Sequence, residues 1–145
     1  MRITVPFVAA ALTLVSACAA NDGPPADIAQ SVGTWHFTKK PQPSSCDVTE
    51  LRIKPTSTSG KFSGELDVSC NRVTIVSGVE FFTITPRGSD LDFIGVEFRN
   101  NNPGVKYYLD HLVLSSKGHC NLSGYWQDSN STGGKFMELH RDGCT

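Results

Sequence analysis

The sequence has no run of about 20 apolar residues, the length that crosses a bilayer as a helix. Its longest uncharged apolar stretch, Ile3 to Ala17, covers 15 positions. It has almost no net charge: 13 Lys and Arg stand against 14 Asp and Glu among 145 residues. Nucleic-acid binding needs a basic face, and attraction to an anionic membrane surface needs clustered cations. The composition argues against the first and rules out the second. No segment shows a convincing helical pattern of ten or more residues. Catalytic signatures are also missing. There is no His-Glu-x-x-His, no Gly-x-Ser-x-Gly, no phosphate-binding loop and no Rossmann glycine pattern. Ser, His and Asp are plentiful, but a triad is a convergence in space that abundance does not supply. The chain is therefore read as not an enzyme, with no cofactor and no metal.

What is present begins with a leader. Met1 and Arg2 precede the apolar stretch, which leaves through Ser16 and Ala17. A basic start, a short apolar centre and a small-residue exit describe a secretory signal peptide, here residues 1–17. Val15-Ser16-Ala17-Cys18 resembles the bacterial lipobox. The resemblance implies cleavage before Cys18 and a diacylglyceryl thioether on its sulfur. Each buried methylene contributes about 0.8 kcal/mol, so one chain anchors marginally and two or three anchor durably. The alternative is ordinary cleavage after Ala19 or Ala20, because Ala17-Cys18-Ala19 also meets the small-x-small rule; the protein is then secreted or periplasmic. The first acid after Cys18 is Asp22, two residues beyond Ala20, which resembles outer-membrane sorting. The expected address is thus the bacterial cell envelope, anchored at the outer membrane.

Residues 18–31, with Gly23, Pro24 and Pro25, read as the lipidated cysteine and a flexible tether. Ala26 to Gln30 can form one helical turn. Residues 32–145 form the domain. Without residues 1–17 the chain keeps 128 residues, and the loss of Arg2 leaves 12 basic against 14 acidic side chains, a balance of −2. A domain of this size buries roughly two-thirds of its unfolded surface.

Beyond Cys18 the cysteines are Cys46, Cys70, Cys120 and Cys144. Four in an oxidising compartment read as two disulfides, with three connectivities open. Cys46–Cys70 and Cys120–Cys144 are preferred, because each pair is 24 positions apart and closes a local hairpin-sized unit. With Cys18 committed to lipid, no thiol is left over.

The domain reads as β throughout. Apolar and polar residues alternate over Gly33–Lys39, Cys46–Lys54 and, most cleanly, Phe62–Cys70. Val73–Thr85 is apolar on both faces, with Ser77-Gly78 expected as a bulge or bend. Further strands are expected at Leu91–Arg99, Val105–Ser115, Leu122–Trp126 and Phe136–Arg141. Breaker clusters separate them, such as Pro86-Arg87-Gly88-Ser89 and Asn100-Asn101-Asn102-Pro103-Gly104. About eight evenly spaced strands favour an antiparallel meander closed as a barrel, with a β-sandwich as the alternative. The disulfides would then staple the first and last hairpins.

Gly33-Thr34-Trp35 resembles the Gly-x-Trp opening of calycin barrels, including the lipocalins. "LSGYWQ" at 122–127 followed by "GGKFMELHR" resembles the closing hairpin of small bacterial barrel lipoproteins. Cys46 and Cys70 after Trp35 resemble the alkaline metalloprotease inhibitors, small eight-stranded barrels with one disulfide. That resemblance implies a mechanism in which residues 19–31 enter a protease cleft. The second cysteine pair and the stretch Val73–Arg99 depart from the inhibitor pattern.

His119, Cys120, His140 and Cys144 suit zinc by ligand type, but oxidation of the two cysteines leaves two ordinary histidines. Asp110-His111 would be an acid–base pair, except that neighbours on a strand point to opposite faces. Trp35, Phe37, Tyr107, Tyr108, Trp126 and Phe136 are expected to fill the barrel core or to face a ligand. Phe81-Phe82 must send one ring outward. The function expected is a monomeric, lipid-anchored module that contacts the membrane through Cys18 and binds or inhibits another protein such as a protease. A lipocalin-like carrier of a small apolar ligand and a structural envelope lipoprotein are the alternatives. Mass spectrometry of the mature N-terminus checks the address: the expected product begins at an acylated Cys18, and a free Ala20 or Asn21 replaces the anchored protein with a soluble one.

Overall fold

The computed structural model describes residues 27–41, 46–71, 75–104, 108–127 and 134–145. The leader, Cys18, residues 19–26 and Tyr107 lie outside the described residues. Eight antiparallel strands follow one another: β1 (Gly33–Lys39), β2 (Cys46–Pro55), β3 (Phe62–Asn71), β4 (Ile75–Arg87), β5 (Asp90–Asn100), β6 (His111–Ser116), β7 (Asn121–Gln127) and β8 (Lys135–Arg141). Each pairs with its successor, and β8 pairs with β1 to close the barrel. The sandwich alternative is thereby set aside. Closure pairs every described strand with two others, leaving strand ends such as Cys46–Val48 of β2 and Glu97–Asn100 of β5 with one described partner.

Period-2 alternation decides which side chains go inside. Trp35, Leu51, Leu66, Phe93, Leu114 and Met137 are each 0–1 % exposed and come from six different strands. Phe82 is buried while its neighbour Phe81 lies outside beneath the Arg99 guanidinium, 4.7 Å from the ring centroid. Phe82 meets Phe93 edge-on inside, with ring centroids 6.2 Å apart.

One end of the barrel is capped by a 3₁₀ turn, Ile28–Ser31, opened by Asp27, whose Oδ1 accepts the Ala29 N–H at 3.0 Å. Ile28 and Ser31 are buried. Trp35 Nε1–H donates to the Ser31 carbonyl at 2.9 Å, and Arg141 Nη2 donates to that of Val32 at 2.6 Å. Gly33 makes room for this guanidinium: its φ is +148°, and a Cβ there would stand 3.1 Å from Arg141 Nε.

Both expected disulfides are present, Cys46–Cys70 and Cys120–Cys144. Their placement corrects one expectation. Cys46 pairs with Cys70 across β2 and β3, the second hairpin rather than the first. The other bridge joins the residue before β7 to the tail after β8. Each therefore closes the open end of one hairpin, and the two sit at opposite ends of the barrel.

Three further expectations change. Ser77-Gly78 is not bulged, since β3 and β4 stay in continuous register through it. The bulge falls on β5: Phe81 faces Glu97 and Phe82 faces Gly95, leaving Val96 extra. β6 begins only at His111, so Tyr108–Asp110 is not strand. Phe136 is not in the core. The inward positions of β8 belong to Met137 and Leu139, at 0 % and 1 % exposed, so alternation turns Phe136 out. The loop closed by Cys46 and Cys70 makes that bridge responsible for about 3 kcal/mol by chain entropy. The double variant Cys46→Ser/Cys70→Ser is expected to lose that amount in urea unfolding while keeping the β circular-dichroism spectrum.

Candidate functional site: an exposed apolar face

The barrel wall has two unlike sides. On β2 and β3 the outward positions are charged and mutually paired. Arg52 donates to both oxygens of Asp67 at 2.8 Å each, to Glu50 at 2.5 Å and to Glu65 at 3.2 Å; Lys54 reaches Glu65 at 2.8 Å. A planar guanidinium serves several carboxylates at once because its donors diverge in a fixed fork. Asp67 first, then Glu50 and Glu65, raise the Arg52 pKa, so it is always a cation. Lys54 and then Arg52 hold Glu65 below its ordinary 4.5. The Arg52 guanidinium holds Asp67 below 3.8. All of these groups are partly solvated, which limits what they contribute to stability.

The other side is apolar. Among the described residues, the large hydrophobic side chains that stand exposed are Ile94, Val96, Tyr108, Leu109 and Tyr125. All five lie on β5, on the run-in to β6, or on β7. Register relates them across the wall: Ile94 faces His111, Asp92 faces Val113, Val113 faces Tyr125, and Tyr125 faces Phe136, so His111, Asp92 and Val113 stand between Ile94 and Tyr125. Tyr125 and Phe136 meet edge-on with centroids 5.5 Å apart, and Lys39 Nζ stands 4.9 Å over the Phe136 ring. Tyr108 is 66 % exposed and Tyr125 52 %. Polar contacts interrupt and border these side chains: His111 Nε2 meets Asp92 Oδ1 between Ile94 and Tyr125, and Arg99 pairs with Glu97 at 2.8 Å.

The expected site residues divide between interior and surface. Trp35 and Trp126 belong to the core cluster, and Phe37 packs against it half-buried. Phe136 and Tyr108 belong to the outer face. The described part of the segment 19–31, Asp27–Ser31, is a turn bound to the barrel end rather than an extended strand. Cys120 and Cys144 are joined to each other, so their sulfurs are not offered to a metal as thiolates. His140 sits beside that bridge, with Nδ1 2.9 Å from Asn121 Oδ1 and Nε2 3.2 Å from the Cys144 carbonyl. Asp110 and His111 do not work as a pair: Asp110 is buried, while His111 turns outward to Asp92. Beside the cap, a cavity of about 60 Å³ is lined by Asp27, Ser31, Trp35, Leu91 and His119 among others. Ligand pockets begin at roughly 300 Å³; an open groove of about 410 Å³ lies on the outer wall of β2–β4, lined by Thr49, Asp67, Ser69, Ser77 and Val79 among others.

Sequence reasoning missed two features. One is the Asp92–His111 contact, which joins residues 19 positions apart and needs the β5–β6 register to be seen. The other is Glu80, wholly buried at an inward position of β4. Its signal was available: Glu80 shares parity with Phe82 and Ile84, an acid in an apolar row.

No protein-family profile and no curated protein sequence matches this chain.

The Arg52 cluster predicts a pH dependence. Glu65 and Asp67 have folded pKa values below their unfolded ones, so their contribution is complete above 4.5 and 3.8 and is lost as pH falls through the lower folded values. Arg52→Met is expected to flatten the acid limb of the stability curve between about pH 5 and pH 2. At neutral pH it should lose no more than about 1 kcal/mol. Urea midpoints measured across that range check both.

Proposed function

We propose that this chain is an exported, lipid-anchored module of the bacterial cell envelope whose β5–β8 face binds another folded protein. The observation that carries the reading is the gathering of Ile94, Val96, Tyr108, Leu109 and Tyr125 on neighbouring elements, opposite a wall of paired charges. Scattered exposed apolar residues need no explanation, whereas a contiguous group does. Aliphatic side chains and two tyrosines, interleaved with Asp92–His111 and Glu97–Arg99, give this side the mixed apolar and polar make-up of a protein interface. Tyrosine is also enriched among the residues that dominate binding energy.

The closed sheet narrows the mode of contact. Most of the described sheet is paired on both sides, and strand ends such as Glu97–Asn100 of β5, paired with β4 alone, offer a partner only a short backbone edge. Recognition then runs mainly through side chains, and the complement is a protein surface with its own apolar centre. The packed core supports contact over carriage of a small ligand. A protease remains within the class of partners through the inhibitor resemblance. In that case the exposed face would do the work, because Asp27–Ser31 is tied down at one end of the barrel.

Two surface variants test the reading, Tyr125→Ala and Ile94→Asp. Chemical cross-linking on whole envelopes identifies candidate partners, and each is purified and titrated against the wild type and both variants. The expected result is a one-to-one complex whose dissociation constant rises at least tenfold in each variant, about 1.4 kcal/mol. Unfolding midpoints should stay within about 0.5 kcal/mol of the wild type, as for surface changes. Equal binding by all three proteins overturns the assignment of the face. A dimer in sedimentation that Tyr125→Ala dissociates gives the face to a second copy instead.

A further inference from the structure

We propose that Glu80 is the positioning residue of the exposed face: its buried carboxylate holds the run-in to β6 and thereby fixes Tyr108 and Leu109 beside Val96. The proposal rests on the reading of that face as the binding surface.

Glu80 is 0 % exposed and lies on β4, opposite Phe98 of β5. Its Oε1 accepts the backbone N–H of Asp110 at 2.7 Å. Asp110 is itself buried, and its carbonyl accepts the Gly95 N–H at 2.9 Å. Both peptide groups of Asp110 are thus held, one by a side chain of β4 and one by the backbone of β5. The two residues before it, Tyr108 and Leu109, are 66 % and 37 % exposed. The interior clamp and the surface it presents are therefore consecutive in the chain.

The local shape of β5 fits this arrangement. A Cβ at position 95 would lie 2.5 Å from Glu80 Oε1 and 2.8 Å from the Asp110 carbonyl oxygen. Only glycine lets the carboxylate reach its partner there. The bulge that follows pushes Val96 out to 52 % exposure, next to the segment that Asp110 pins. The amino-acid pattern of Val105–Ser115 reads as one continuous strand, yet β6 starts at His111. Capture of the Asp110 N–H by Glu80 accounts for that late start, because this donor is taken out of the ladder. A carboxylate is a costly way to fill a core unless it is hydrogen-bonded. An apolar side chain would fill the position, but it would leave the Asp110 N–H without an acceptor.

The test uses the whole chain with three substitutions: Glu80→Gln, which keeps an acceptor oxygen; Glu80→Leu, which removes it; and Gly95→Ala, which puts a methyl group in its path. Amide hydrogen exchange is read residue by residue, and chymotrypsin cutting after Tyr108 is timed. In the wild type and Glu80→Gln, the Asp110 and Gly95 amides should be protected and the Tyr108 site should resist cutting. In Glu80→Leu and Gly95→Ala, exchange at Asp110 and cutting after Tyr108 should each accelerate by about tenfold or more, with β2 and β3 amides unchanged. If Glu80→Leu does not fold, Gly95→Ala against Glu80→Gln carries the comparison. Unchanged exchange at Asp110, or equal acceleration throughout the barrel, overturns the proposal. A face that binds no protein while the clamp behaves as described removes the binding reading alone.

Discussion

The pairing of β1 with both β2 and β8 is the constraint on which the rest of the molecule depends. Trp35 faces Leu51 on one side and Arg141 on the other, so one residue takes part in both seams. Its ring is buried, its indole N–H holds the capping turn, and the Arg141 guanidinium lies 5.8 Å from its ring centroid. Opening this seam would expose two strand edges and uncover the end of the core together. Because most of the sheet is paired on both sides, recognition falls mainly to side chains, which is why the distribution of residues on the outer wall matters so much.

That wall separates two ways of meeting water. On β2 and β3, carboxylates and cations satisfy one another around Arg52, and the net result is a hydrated, non-adhesive surface. On β5 to β8, the aromatic pair Tyr125–Phe136 and the aliphatics Ile94 and Val96 leave apolar area in solvent. The hydrophobic effect disfavours that exposure, at roughly 25 cal/mol per Å². Folding alone has no use for it, since the core these strands share is built from their other faces, through residues such as Leu91, Phe93, Leu112, Leu122, Met137 and Leu139. The asymmetry is thus a property of the outward set of residues alone.

How much of this was legible depends on the range of the physics involved. Strand β3 was plain because Phe62, Gly64, Leu66, Val68 and Cys70 alternate with polar residues without interruption. Equal spacing made the two disulfides legible, since short loops are favoured by chain entropy. The outward turn of Phe136 was missed because both parities of β8 offer bulky residues, and only the packing of Met137 and Leu139 decides between them. The late start of β6 and the bulge at Val96 were hidden for another reason. Both arise where Glu80, Gly95 and Asp110 meet, and nothing local in the chain joins those three positions. Features set by period were readable; features set by a single long-range contact were not.

The two sulfur bridges are neither nested nor interlocked: the first is complete within residues 46–70 and the second within 120–144. A chain appearing in order from its N-terminus can oxidise its first pair before half its length has emerged. That early covalent hairpin shortens the search that remains, because β4 meets a partner already assembled. The last oxidation must wait for the final residues, the same ones that bring β8 to β1. Sealing of the barrel and closure of the second bridge therefore both require the complete chain.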